Sequence, residues 1–185
     1  MEAVTHLTMA ELIAGMDKIR LAPKDDGVLQ MIVRRPQEDS RETLQEAELT
    51  LADGLAGDNW NTRGSRHMPD GSANPDAQIT VMNARAIALL AQTENRWPLA
   101  GDQLYVDLDL SDDNLPPGTR LAIGSAVLEV SPVPHTGCKK FSARFGVDAM
   151  KFVNTPEGKQ LHLRGINTRL VQPGIIRVGD AVRKL

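Results

Sequence analysis

Turn-forming residues interrupt this chain so often that it has little room for long helices. It contains 15 glycines and 11 prolines in 185 residues, and both residue types end or bend regular backbone structure. Some stretches between them alternate apolar and polar side chains, as at residues 102–108, with the period of a half-buried strand. The sequence therefore predicts a fold of many short strands.

Two similar patterns in the second half of the chain predict β-hairpins. Residues 120–123 and 126–130 are strand-like, and Gly124–Ser125 between them has the spacing of a tight turn. A similar order of residues returns at 173–182, with Val178–Gly179–Asp180 in the place of the turn. We predict two hairpins of the same kind rather than a longer array of repeats.

Helical patterns are few. Thr8 and Glu11 have the spacing of a capping box and begin a predicted helix over residues 9–20. Asn83 caps a second predicted helix, of about ten residues, that starts at residue 84. Because helices and strands do not alternate regularly, we expect a barrel-like or α+β architecture.

The segment 57–77 has no hydrophobic period and is rich in glycine, asparagine, aspartate and proline. It predicts a long ordered loop, with disorder as the alternative, and ordered loops of this length usually have a function. Arg63, Arg66 and His67 lie within it and are able to fold over an anionic ligand.

Length and composition indicate the class of protein. A chain of 185 residues builds one well-buried core, and no apolar run is long enough to cross a bilayer. The single cysteine forms neither an internal disulfide nor a zinc site by itself. We therefore expect a cytoplasmic protein with a reduced thiol and no membrane partner.

Charge is unevenly distributed along the chain. Residues 1–130 carry 11 Lys and Arg against 21 Asp and Glu, while residues 131–185 carry 10 against 3. Salt bridges between the two parts are one explanation, and a positive field that captures an anionic small molecule is the other. A nucleic-acid partner is not expected, because the basic residues are not interleaved with stacking aromatic residues.

The segment around Cys138 carries most of the candidate chemistry. Pro132 and Pro134 force an extended exit from the preceding strand, and Phe141 and Phe145 have helical spacing behind the cysteine. This arrangement predicts that Cys138 lies at the start of a helix, where backbone N–H groups and the helix dipole favour a thiolate.

Cationic residues surround this cysteine in the sequence. His135 precedes it, and Lys139, Lys140 and Arg144 follow within two turns. Each of them lowers the pKa of a thiol if it lies close in space, and a thiolate attacks electrophiles, carries sulfur as a persulfide or binds a soft metal. Cys138 and His135 are therefore candidate catalytic residues, and Cys138 is a candidate metal ligand. The alternatives are an inert buried cysteine, a histidine that serves as a turn or cap residue, and a solvated lysine pair.

Four pieces of sequence, in this order, resemble the MOSC domain, the module found at the C-terminus of molybdenum-cofactor sulfurases and as small standalone bacterial proteins. They are the turn Gly54–Asp58, the strand Gln78–Val81, the run from Gly101 through Val130 to Cys138, and the ending from Arg164 to Asp180. The resemblance covers roughly residues 28–185. It implies a mainly β fold, a MOSC-type β-barrel with a few peripheral helices, and leaves residues 1–27 as an N-terminal helical extension packed on the domain.

The resemblance also implies a function. In this family a cysteine is proposed to carry sulfur or to ligate molybdenum, and some standalone members use molybdenum cofactor (molybdopterin) to reduce N-hydroxylated compounds. Metal–sulfur cofactor assembly and a link to pyridoxal phosphate, through the sulfurases, belong to the same family association. The chain has no aminotransferase-like, flavin or iron–sulfur domain, so we expect an external electron or sulfur donor protein and a small-molecule substrate or cofactor.

A pterin phosphate requires cations and hydrogen-bond donors, and the family-like segments supply them. The candidate cofactor-binding residues are Arg35, Arg63, Arg66, His67, Lys139, Lys140, Arg144, Arg164, Asn167 and Arg169. Surface salt bridges are the alternative explanation for each of them.

Two other functions compete with an enzyme or sulfur-transfer protein. The basic part of the chain also suits a non-catalytic module that binds an anionic metabolite or a partner enzyme. A thiol redox sensor is disfavoured because the chain has no second cysteine to resolve an oxidised one.

Overall fold

The structure, a computed structural model, describes residues 4–185, and its main feature is a closed barrel. The strands are β1 (Gly27–Arg34), β2 (Glu42–Leu44), β3 (Glu46–Thr50), β4 (Gly54–Leu55), β5 (Ile79–Asn83), β6 (Leu104–Asp107), β7 (Arg120–Ile123), β8 (Ala126–Val130), β9 (Ile166–Gln172), β10 (Gly174–Arg177) and β11 (Ala181–Lys184). The helices are α1 (Met9–Ala14), α2 (Met16–Arg20), α3 (Trp60–Arg63), α4 (Ala84–Ala91), α5 (Lys139–Phe145), α6 (Val147–Val153) and α7 (Pro156–Gln160).

Seven strands close the barrel, in the order β1, β6, β5, β9, β8, β7 and β11, which returns to β1. Only β5 and β6 run parallel among these neighbours in the described chain. Closure leaves no free edges in the ring itself, and aliphatic side chains such as Leu29, Val81 and Leu128 fill the interior. The predicted barrel with a few peripheral helices is confirmed.

The predicted hairpin at residues 120–130 is confirmed, with Ile123 opposite Ala126, but the second predicted hairpin is wrong. The chain does turn at Gly179, where Asp180 donates its backbone N–H to the carbonyl of Arg177. The two strands then separate: β10 pairs with β3 in a small second sheet, and β11 pairs with β7 and β1. A turn sequence determines the reversal of the chain but not the strand with which each arm pairs.

Helices cover one side of the barrel and build a second core, in which the three phenylalanines are buried together with Trp97 and Tyr105. The predicted helix over 9–20 is interrupted at Gly15, which separates α1 from α2. A Cβ atom at Gly15 would lie 2.5 Å from the side chain of Leu89 on α4, so the glycine lets these helices approach. The capping box of Thr8 and Glu11 is present, and Asn83 caps α4 as predicted.

The segment 57–77 is largely irregular, as predicted, and is interrupted by the single turn α3 and a 3-10 turn at Pro75–Ala77. Trp60 is buried and anchors its first part, and backbone hydrogen bonds such as Ser65 N to Ser72 O (2.9 Å) hold the second. None of the helices in residues 4–185 has the length and apolar character that a membrane span needs.

Candidate functional site

A cavity of about 440 Å³ opens where one end of the barrel meets α3, the start of α5 and the segment after β1. Eight of the residues predicted from the sequence contribute to its lining. They are Arg35, Arg63, His135, Cys138, Lys140, Arg144, Arg164 and Asn167.

Local structure places Cys138 on the cavity wall. Asn167 on β9 donates from its side-chain amide to the carbonyls of Val133 and Pro134 (3.0 and 3.2 Å), which fixes the extended exit from β8. Cys138 then has extended backbone and is the N-cap residue of α5, as predicted. Buried Phe141 anchors the helix, while Cys138 is exposed. The alternative of a cysteine sealed in the core is therefore excluded.

Two arginines are held by carboxylates that solvent does not reach. Arg35 makes a bidentate pair with Asp58 (2.8 and 2.9 Å) and donates to the carbonyl of Gly101. Arg164 pairs with Asp102 at 2.6 Å, and its guanidinium lies 5.0 Å from the ring centroid of Phe141. Both carboxylate side chains are 0% exposed. We call these two ion pairs the inner wall.

His135 approaches the inner wall without completing a hydrogen bond. Its Nδ1 lies 3.4 Å from Oδ1 of Asp102, and neither atom has a hydrogen-bond partner in the described chain. The approach depends on Gly165 (φ +106°), where a Cβ atom would lie 3.1 Å from Nδ1 and 2.6 Å from the carbonyl oxygen of Val81. A side chain at position 165 would crowd both His135 and the carbonyl of Val81, so this position favours glycine.

Burial shifts the pKa values of Asp102 and His135 in opposite directions. Burial raises the pKa of Asp102 above its ordinary value, against the opposing effect of Arg164. Burial, followed by the positive charges of Arg164 and Arg35, puts the pKa of His135 well below its ordinary value. The imidazole is therefore neutral at neutral pH and is able to donate or accept a proton at a ring nitrogen.

Cations with exposed partners lie nearer solvent. Lys140 contacts the carboxylates of Glu38 (2.6 Å) and Asp39 (3.4 Å), and Arg144 contacts Asp39 at 2.9 Å. The Glu38 and Asp39 side chains are 80% and 61% exposed. Lys140, which donates a hydrogen bond to Asp39, is the main cause that lowers the pKa of Asp39. We call these four residues the outer rim.

Two further arginines have no carboxylate within ion-pair distance among residues 4–185. Arg41 donates to the carbonyls of Pro98 and Ser40, and Arg63 also lines the cavity. Burial, followed by the positive charges of neighbouring arginines, lowers the pKa of both below the ordinary value. Such crowding of like charge favours an anion that binds between them.

Four predicted residues do not line this cavity. Arg66 and His67 are exposed in the loop, and Lys139 is exposed at the start of α5. Arg169 shares a strand face with Asn167, but only the first part of β9 reaches the cavity. Farther along, Arg169 pairs with Glu129 (2.7 Å) on the outside of the barrel.

Several residues of the site were not predicted from the sequence. Asp102 carries a signal, because Gly101–Asp102 belongs to a family-like piece of the chain. Arg41 carries none: it lies in a polar stretch between two strands, and only the fold brings it to the cavity. Asn59, after the turn at Gly57, also lines the cavity and has a buried side-chain oxygen without a hydrogen-bond partner in the described chain.

Solved structures share the fold. YuaD protein from Bacillus subtilis superposes with a TM-score of 0.62 at 15% identity, over 85% of this chain and 94% of that one. YiiM from Escherichia coli gives 0.56 at 17% identity, over 85% and 69%, and YiiM from Geobacillus stearothermophilus gives 0.53 at 16%, over 86% and 73%. At these identities the likeness shows the fold alone.

Comparison with curated proteins gives no significant match. The family model of the MOSC domain, in contrast, matches residues 58–183. The matched residues include β8 and β9, the strands before and after Cys138, and most of the other barrel strands. Because it covers more than half of the chain, the protein belongs to the MOSC domain family.

Proposed function

We propose that this protein binds molybdenum cofactor in the cavity, with Cys138 as the protein ligand of the metal, and that it serves redox chemistry on a small molecule. Reduction of N-hydroxylated compounds is the candidate reaction. The observation that carries the proposal is the position of an exposed thiol on a cavity wall that also holds two arginines with no carboxylate partner among residues 4–185.

The residues present fit such a group. The described chain has no cluster of three His, Cys, Asp or Glu that could hold a bare metal ion, so a metal would have to bring most of its own ligands, as a pterin dithiolene does. A cavity of about 440 Å³ is in the usual range for a small-molecule site. Arg41 and Arg63 suit bidentate contacts with phosphate, and the unpaired oxygen of Asn59 suits a ring N–H donor.

Each group of the site has a definite task under this proposal. When bound, the cofactor would supply two-electron redox chemistry. Cys138 would hold the metal through Sγ, the arginines would orient the anionic end, and neutral His135 would hold or move a proton at its imidazole. We propose that an external donor protein would deliver the electrons. We propose the cytoplasm as the compartment, because thiols stay reduced there.

The test is to purify the protein from cells that make the cofactor and to measure bound molybdenum and pterin. We expect Cys138→Ser to lose the molybdenum, and Arg63→Gln to lower the pterin content. Arg169→Gln, which removes a cation outside the cavity, is the matched control and should leave both unchanged. Equal molybdenum in wild type and Cys138→Ser would contradict a bond between Cys138 and the metal.

Sulfur transfer is the second candidate, favoured by the same exposed thiol. It requires that a sulfur donor protein leave a persulfide on Cys138 Sγ. Incubation with a cysteine desulfurase and labelled cysteine, followed by mass spectrometry, detects this product, and its absence would exclude the candidate. Pyridoxal phosphate is less well supported, because hydrogen bonds to Glu38 and Asp39 raise the pKa of Lys140, which lines the cavity, and disfavour the neutral amine that a Schiff base needs.

A non-catalytic module for an anionic metabolite or a partner enzyme uses the same arginines. It predicts that binding weakens with salt and survives alkylation of Cys138. Loss of binding after alkylation would therefore separate it from the favoured function.

A further inference from the structure

The turn at residues 37–40 presents two carboxylates to the cavity. Ser40 donates its backbone N–H to the carbonyl of Gln37 at 3.1 Å, and Asp39, in the third position, has φ +56°. Asp and Asn are among the few residues that adopt this left-handed conformation readily. The turn therefore holds Glu38 and Asp39 side by side, facing α5.

These carboxylates contact the cations that stand next to the thiol. Lys140 and Arg144 follow Cys138 on α5, and all three line one cavity together with Glu38 and Asp39. Asp58 and Asp102 of the inner wall are buried, whereas the two carboxylates of the rim are mostly exposed. Exposed ion pairs are weak and solvent screens them, so an anion is able to replace them.

We propose that Glu38 and Asp39 are specificity-determining residues, an acidic latch that competes with the anionic ligand for Lys140 and Arg144. The inference rests on the proposed binding of an anionic group in this cavity. A ligand gains these two cations only if its own negative charge displaces the latch. Arg41 and Arg63, which no carboxylate of residues 4–185 occupies, remain open to the ligand without competition.

Alkylation of Cys138, the single cysteine of the chain, tests this directly. The quantity measured is the rate with iodoacetate, a monoanion, divided by the rate with neutral iodoacetamide. The double variant Glu38→Gln/Asp39→Asn should raise this ratio about fivefold at low ionic strength, and the gain should shrink in salt. Asparagine retains the left-handed turn at position 39, and both side chains are exposed, so the variant should fold.

Glu42→Gln is the matched control. It removes one carboxylate on the neighbouring strand β2, where Glu42 pairs with Arg34 (2.6 Å) outside the cavity lining. We expect a change in the ratio of less than twofold. Repeating the measurement in a Lys140→Gln background separates displacement of the ion pair from a general change in charge. Without Lys140, Glu38→Gln has no ion pair to release, so it should raise the rate ratio no more than Glu42→Gln does. A double variant without any effect, or one matched by Glu42→Gln, would overturn the latch.

Inorganic phosphate as a protecting ligand distinguishes failure of the latch from failure of the proposed site. Phosphate should slow alkylation by iodoacetamide in the wild type. In the double variant, a several-fold lower phosphate concentration should give the same protection. Equal protection of both proteins would overturn the latch and leave the anion site intact. Failure of phosphate to protect any variant would count against the proposed function itself.

Discussion

At the inner wall of the cavity, Arg35 and Arg164 are paired with carboxylates that solvent does not reach, whereas at the outer rim Lys140 and Arg144 are paired with exposed ones. The same chemical pairing thus serves two purposes. A buried pair is expensive to break because a charge is left without solvent or partner, so the inner wall fixes the shape of the site. An exposed pair exchanges partners readily, so the rim suits recognition.

The largest effect should come from breaking an inner pair. Asp58→Asn removes the ion-pair partner of buried Arg35 and weakens the bonds that Asp58 accepts from the backbone N–H groups of Arg35 and Trp60. We expect a loss of about 3–4 kcal/mol in the free energy of unfolding, measured by urea denaturation. A loss below about 1 kcal/mol would show that the inner wall differs little from the rim.

The second-largest loss of stability should come from disturbing the close packing at the inner wall. Gly165→Ala combines a left-handed backbone with a Cβ atom 2.6 Å from the carbonyl oxygen of Val81. At Gly179 (φ +95°), in contrast, no atom of residues 4–185 lies within 4 Å of the corresponding position. We expect Gly165→Ala to cost about 3 kcal/mol and Gly179→Ala about 1 kcal/mol, the strain of the backbone alone. Similar losses in thermal denaturation would contradict the close approach of His135 and Asp102.

The pH dependence of stability should report burial of His135. Its pKa in the folded protein is well below the unfolded value, about 6.5, so below pH 6.5 the unfolded chain binds the extra proton. Stability therefore falls as the pH drops from 6.5 to 5, by up to about 1.4 kcal/mol per pH unit from this group. His135→Gln should flatten that part of the curve. An unchanged slope would mean that His135 is solvated in both states.

The smallest effect should follow a change at the rim. Lys140→Gln removes a cation whose side chain is 54% exposed, and it should alter the free energy of unfolding by less than about 0.5 kcal/mol. The same substitution should slow alkylation of Cys138 by iodoacetate. A destabilisation as large as that of Asp58→Asn would remove the distinction between wall and rim.

Local sequence predicted the parts of the molecule that depend on neighbouring residues. The cap at Asn83, the hairpin of β7 and β8, and the start of α5 at Cys138 all follow from short-range backbone chemistry. The buried partners of the inner wall do not. Arg164 pairs with Asp102 across a large separation in sequence, and no periodic pattern signals such a pair. Likewise, nothing at Gly179 reveals that β10 and β11 belong to different sheets.

The pairing of β11 with β1 has a consequence for biosynthesis. Gly27 lies opposite Val182, so almost all of the described chain must leave the ribosome before this seam forms. Contacts of such long range also slow folding. Until then β1 lacks one of its neighbours, and the ring that supports Cys138 stays open. A ligand that requires the intact cavity is therefore acquired only after β11 has been synthesised.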